Sequence, residues 1–165
     1  REDVKEQLRF FYKTTGAALA PFDSWLILRG IKTLAVRMER AQENAMAVAE
    51  WLKGQSCVTK VLYPGLPEHP GYEVMKKQAR GFGGMLSTER AQGILEHVKL
   101  IQFAESLGGT ESLITYPVTQ THADVPKDKL LENGITDRVL RLSLGIEGKE
   151  DLIADLAQAF TAASK

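Results

Sequence analysis

Val139-Leu140-Arg141-Leu142-Ser143-Leu144-Gly145-Ile146 alternates apolar and polar side chains along most of its length. That alternation predicts a strand with one buried face, because successive side chains of extended backbone point to opposite sides. Leu140, Leu142, Leu144 and Ile146 share the face turned to a core, and Arg141 with Ser143 takes the other. A guanidinium displayed there has two uses. It sits in solvent on a half-exposed sheet, or it grips a carboxylate through two parallel hydrogen bonds. The alternation itself leaves both open.

Working outward, Glu111 to Tyr116 predicts a second strand, joined to the first by a loop from Pro117 to Asp124 and a short helix near Lys127 to Glu132. Further upstream, Cys57 to Tyr63 is rich in β-branched residues and is stopped by the turn pair Pro64-Gly65. A loop at residues 67–70, a helix over Tyr72 to Arg80, a glycine turn at Gly81 to Gly84 and a strand at Met85 to Ser87 follow. Glu89 to Val98 predicts a helix, and Leu100 to Ala104 a short strand. The last helix opens at Lys149 and buries Leu152, Ile153, Leu156, Ala159, Phe160 and Ala163. From Pro21 to Gly54 apolar residues recur at three-to-four spacing, which predicts one helix of about 30 residues and about 45 Å. A helix that long reads as a spine shared with a neighbouring domain. The expected organisation is an entry segment and spine helix over 1–54, then a small C-terminal α/β domain over 55–165. The fold class is α/β of the α+β type, a small sheet with helices on one face preceded by a long domain-linking helix.

Composition narrows the function. The 165 residues carry 21 Lys plus Arg and 21 Asp plus Glu, so no net field draws the chain to nucleic acid or an anionic membrane. No apolar run approaches the roughly 20 residues of a membrane span, and Arg1-Glu2-Asp3 reads as an entry point in mid-protein rather than a signal peptide. Cys57 is the sequence's single cysteine, so no intrachain disulfide can form, and a reducing cytoplasmic setting is expected. Gly81-Phe82-Gly83-Gly84 and Gly108-Gly109 run into predicted strands, whereas a phosphate cradle needs a following helix N-terminus. His69, His97 and His122 lack metal-ligand spacing, and no Gly-x-Ser-x-Gly element supplies an activated serine. His122 lies on a loop and keeps some functional weight. By pattern alone, nothing here carries out a reaction.

Six blocks taken together do more. They are Gly16 to Leu26; Leu28-Arg29-Gly30-Ile31-Lys32-Thr33-Leu34 with Arg37-Met38; Tyr63-Pro64-Gly65-Leu66 with His69-Pro70; Gly81 to Ser87; Glu105 to Leu113; and Arg141 to Glu147 with Asp151-Leu152. In this order they resemble the pyridoxal-phosphate (PLP) enzymes of cysteine and methionine metabolism. That family includes cystathionine γ-synthase, cystathionine β- and γ-lyases, methionine γ-lyase and O-acylhomoserine sulfhydrylases.

The resemblance implies the C-terminal domain of a fold-type I PLP-dependent transferase, with the Schiff-base lysine and most cofactor contacts in a larger N-terminal part. The family's Ser-x-x-Lys element is absent here, and Lys32 does not match it. The chain alone is therefore expected to bind no PLP and to be inactive, with no catalytic, cofactor-binding or metal-binding residue of its own. By the same resemblance Arg141 binds the substrate α-carboxylate, Ser112 is its companion, and Glu111 sits where substrate choice varies. The partners implied are an amino-acid substrate, cystathionine or methionine undergoing β- or γ-elimination, and other copies of the same chain in a homo-oligomer. Two alternatives remain: a γ-synthase or sulfhydrylase running γ-replacement, and a non-catalytic binding or scaffold module. Two departures stand out. Thr88 replaces the usual aromatic, and Glu89 to Lys99 is shorter than usual.

Overall fold

In chain order, the computed structural model, which describes residues 1–89 and 92–163, begins with α1 (Glu2–Thr15), α2 (Pro21–Ile31), α3 (Leu34–Lys53), β1 (Lys60–Leu62), α4 (Tyr72–Gln78) and β2 (Met85–Glu89). A 3₁₀ turn at Gln92–Ile94 leads to β3 (Gln102–Phe103), β4 (Leu113–Thr115), α5 (Lys127–Glu132), β5 (Val139–Ser143) and α6 (Lys149–Ala162). The expected strand at residues 139–144 and the helix at 127–132 lie where the sequence put them.

The strands form one sheet in the order β1-β2-β5-β4-β3, antiparallel throughout except for the parallel pair β3 and β4. β5 is its centre. Leu142 stands opposite Leu86 on one side and Ile114 on the other, while Arg141 stands opposite Ser87 and Thr115. The leucine face packs with Val48 and Leu52 of α3 and with Leu152 and Leu156 of α6 in a single buried cluster. Burial of each such side chain contributes about 1.5–3 kcal/mol. Helices therefore cover one face, as the mixed α/β reading requires.

Polar groups tie this layer together. Asp155, buried on α6, accepts the backbone N–H groups of Lys99, Leu100 and Ile101, each at 2.9 Å. One carboxylate thus satisfies donors that the approach to β3 would otherwise bury unpaired. Thr88, where the family usually has an aromatic, is 1% exposed and donates its hydroxyl to Lys60 O across the β1–β2 pair. Burial beside a strand carbonyl suits a small β-branched hydroxyl.

Two expectations need correction. The spine is not one helix: α2 ends at Ile31 and α3 starts at Leu34. Gly30 is a poor helix former, and Thr33 turns both its N–H and its hydroxyl onto Gly30 O, competing with the helical pattern there. Apolar spacing runs through that break and so conceals it. The entry segment holds a helix of its own, α1, with Glu2 and Asp3 in its first turn, Lys13 in its last and Gly16 left-handed at its end. The described residues between 89 and 98 form no α-helix either. β2 extends to Glu89 and a short 3₁₀ turn lies at Gln92–Ile94, residues 90 and 91 lying outside the described part.

Packing groups Arg1–Ala35 and Val36–Lys165 as two compact units. Ala41, Asn44, Ala45, Val48, Ala49 and Leu52 put most of α3 in the core of the second unit. In the first unit, α1 and α2 bury no residue, and Phe22 packs on Trp25 with ring centroids 5.8 Å apart. No helix among the described residues is long and apolar enough to cross a membrane.

Tyr63, fully buried after β1, donates its hydroxyl to Gly83 O at 2.9 Å. Burial pushes its phenol from 10.0 up to about 12. An unfolded chain gives up this proton first as pH rises. The contribution of Tyr63 to stability is thus complete below about pH 10 and disappears as pH approaches about 12. Urea titrations over that range should show a falling midpoint, and Tyr63→Phe should flatten the fall while lowering stability near neutrality by about 1 kcal/mol through the lost hydrogen bond.

Candidate functional site

The sheet face opposite the helices is crossed by the segment from Ala104 to Thr110, which is tied down at alternate residues. Ala104 O accepts the Thr115 hydroxyl at 2.9 Å, Ser106 O accepts Arg141 Nη2 at 3.2 Å, and Gly108 N donates to Ser143 Oγ at 2.9 Å. Thr115, Arg141 and Ser143 are the β4 and β5 residues that strand alternation turns to this face. Gly108 has φ +75°, which lets the segment bend there.

Arg141 is half-buried in this setting. A guanidinium has five N–H donors and stays charged. Nη2 uses its two on neutral acceptors, Ser106 O and Thr115 Oγ1, both at 3.2 Å. Nε is buried and has no partner. Among the described residues no carboxylate pairs with it. A cation held by neutral groups, with a buried donor left over, has the chemistry of an anion site.

Ser112 and Glu111 stand at the entry to β4, a few residues from Thr115. Ser112 is fully buried, and its proton is taken: Oγ donates to Glu147 Oε2 at 2.8 Å, and its N–H donates to Glu147 Oε1 at 2.6 Å. The same oxygen accepts Gly145 N at 2.8 Å. From the helix side, Asn44 Nδ2 donates to Gly145 O and Glu147 O, both at 2.9 Å. Ser112 is therefore placed in the clamp that holds the exit of β5, not against Arg141. Glu111 is exposed and accepts the Thr110 hydroxyl at 3.3 Å. Room at Gly145 is nil, since a Cβ there would run into Thr110 O and the Glu147 carboxylate.

Reasoning from sequence missed Thr115, Asn44 and the role of Glu147. Thr115 had a legible signal, its place on a strand pairing with β5; the partners of Asn44 and Glu147 lie far off in the chain and leave none. His122 contacts Thr121 Oγ1 through Nδ1 at 2.7 Å and His69 Nδ1 accepts Gly71 N at 3.0 Å, so both rings serve local turns. Among the described residues no His, Cys, Asp and Glu side chains converge as a metal site.

A cradle for PLP does not emerge from the described residues. Every described lysine is exposed, and the turns at Gly83 and Gly108 lead into strands rather than helix N-termini. Among the described residues the one orphaned buried side-chain donor, on Arg141, suits a ligand carboxylate.

Comparison with known proteins agrees with this geometry. A family model described as Cys/Met metabolism PLP-dependent enzyme matches residues 1–161. Cystathionine γ-lyase of Bacillus subtilis is 47% identical over 163 residues, covering 96% of this chain and 43% of that protein. Cystathionine β-lyase of Coxiella burnetii is 50% identical over 162 residues, covering 94% of this chain and 42% of that protein. A crystal structure of cystathionine γ-synthase from Xanthomonas oryzae pv. oryzae, in complex with aminoacrylate and cysteine, superposes with a TM-score of 0.91 at 40% identity, over 99% of this chain and 44% of that one. The chain thus spans less than half the length of the relatives it matches.

Ser112→Ala should destabilise the chain by about 1–3 kcal/mol, because the buried Gly145 N–H loses its acceptor and a half-buried Glu147 oxygen its donor. A urea midpoint unchanged from the parent chain would contradict the clamp.

Proposed function

The chain belongs to the Cys/Met metabolism PLP-dependent enzyme family, and on that premise we propose that it is the C-terminal, substrate-orienting part of a carbon–sulfur lyase acting on cystathionine or methionine. The observation that carries this reading is the half-buried Arg141, charged, with Nε unpartnered and only neutral acceptors at Nη2. An amino-acid substrate brings the missing anion. PLP, when bound in the full enzyme, supplies the electron sink for bond cleavage at the side chain, and its lysine lies outside this sequence.

The work of this chain is orientation. Gripping the α-carboxylate fixes which bond at Cα stands perpendicular to the cofactor ring, and so which bond is weakened. Arg141 exchanges no proton in doing this. The clamp around Gly145 keeps β5 in register, and Ser112 acts on the substrate through that register. Glu111, exposed beside it, is the position assigned to substrate choice. A γ-synthase remains the second reading, because γ-lyase and γ-synthase structures superpose equally well, each with a TM-score of 0.91. Assays of the full enzyme with cystathionine alone, against an O-acylhomoserine plus cysteine, separate lysis from synthesis.

Self-association is part of the same proposal. Phe22, Trp25 and Leu26 of α2 are each exposed, and exposed apolar surface of this kind drives assembly. A cytoplasmic location fits a chain whose single cysteine gives no intrachain disulfide. The chain by itself should scatter light as a dimer or larger and should retain no yellow chromophore after incubation with PLP and dialysis. A monomer, or a borohydride-reducible adduct on one of its lysines, would count against these two points respectively.

Arg141→Ala in the full enzyme should lower kcat/KM on the order of 10², mostly through KM, as the loss of charged hydrogen bonds to the substrate requires. Arg141→Lys should recover little, since an ammonium lacks the planar fork. Near-normal kcat/KM in a folded, PLP-loaded Arg141→Ala enzyme would overturn the assignment.

A further inference from the structure

We propose that Thr115 is the positioning residue for Arg141, holding the guanidinium in place for a carboxylate without neutralising its charge. This rests on the reading of Arg141 as the carboxylate grip and adds to it the group that aims it. A hydroxyl owns one proton and two lone pairs. The Thr115 proton goes to Ala104 O at 2.9 Å, so a lone pair is what Thr115 turns toward Arg141 Nη2, 3.2 Å away. The role of acceptor is thereby forced on it.

Its position is fixed as firmly as its polarity. Thr115 is 1% exposed, is β-branched, and stands directly opposite Arg141 in the β4–β5 pairing. The second acceptor at Nη2 is the carbonyl of Ser106, an exposed residue of the crossing segment. Of the two partners, then, Thr115 is the anchored one. Both are neutral, and this matters: an acid in either place would pair with the guanidinium and use up the attraction that a ligand carboxylate needs. Neutral acceptors direct the fork while Nε and Nη1 stay available, neither having a partner among the described residues.

The test uses the full PLP-loaded enzyme and two probes that carry no leaving group, L-alanine and its decarboxylated counterpart ethylamine, titrated by the change in cofactor absorbance. Thr115→Val preserves shape and removes the hydroxyl, and Thr115→Ser restores it. We expect Thr115→Val to weaken L-alanine about tenfold and to raise KM by a similar factor, with ethylamine binding and kcat within about twofold of the parent, as loss of a bond that orients only the carboxylate site requires. Thr115→Ser should return both values to within about twofold. Thr115→Ala, read in the same way, covers the case in which valine prevents folding. Unchanged L-alanine affinity, equal weakening of both probes, or failure of serine to rescue would overturn the proposal. Arg141→Ala serves as the control. If it abolishes the preference for L-alanine while Thr115→Val does not, the positioning role alone falls; if it leaves that preference intact, the carboxylate grip falls with it.

Discussion

Gly145 to Glu147 leave the sheet between two elements that each commit a buried polar side chain to them. Asn44 reaches from α3 to the carbonyls of Gly145 and Glu147, and Ser112 reaches from the entry of β4 to Gly145 N and the Glu147 carboxylate. Much else depends on this clamp. It joins the helical layer to the sheet at the end of the central strand, and a slip of one residue in β5 would move Leu140 and Leu142 out of the core and Arg141 into it. Such a slip would bury an uncompensated charge, a cost that no rearranged packing could offset. The clamp and the charge therefore enforce the same register.

That register gives the second face of the sheet its character. Thr115, Arg141 and Ser143 meet the crossing segment at Ala104, Ser106 and Gly108, so the charged group is held in a hydrogen-bonded frame rather than left to solvent. Shielding from water raises the worth of any ionic contact made there, and the frame removes conformations that a ligand would otherwise have to suppress on binding. A freely solvated arginine would offer neither advantage.

Legibility from sequence followed the range of the interactions concerned. β5 was readable because period-two alternation is a local record of burial, and α5 because its ends coincide with a local change of pattern. The break between α2 and α3 was hidden, since Trp25, Leu26, Leu34 and Met38 keep helical spacing while Thr33 diverts the backbone. α1 went unread although Val4, Leu8, Phe11 and Tyr12 recur at helical spacing, a local signal that was there to be used. At the candidate site, sequence singled out Arg141 and Ser112, but the Ser112 proton belongs to Glu147, 35 residues away. A hydrogen bond at that separation leaves no periodicity. The same reason kept Asn44, 101 residues from Gly145, out of view.

The order of strands in the sheet differs from their order in the chain in one respect that bears on biosynthesis. β5 follows the other four described strands in the chain, yet it lies between β2 and β4. Until residue 143 leaves the ribosome, β1 with β2 and β3 with β4 are separate two-stranded pairs, each too small to persist in water. The leucine face has no centre, and the α3 residues meant to cover it stay uncovered. Closure then joins partners more than fifty residues apart, as Leu86 is from Leu142, which is a slow kind of pairing to form. A chain with this strand order therefore leaves apolar surface uncovered until β5 joins the sheet.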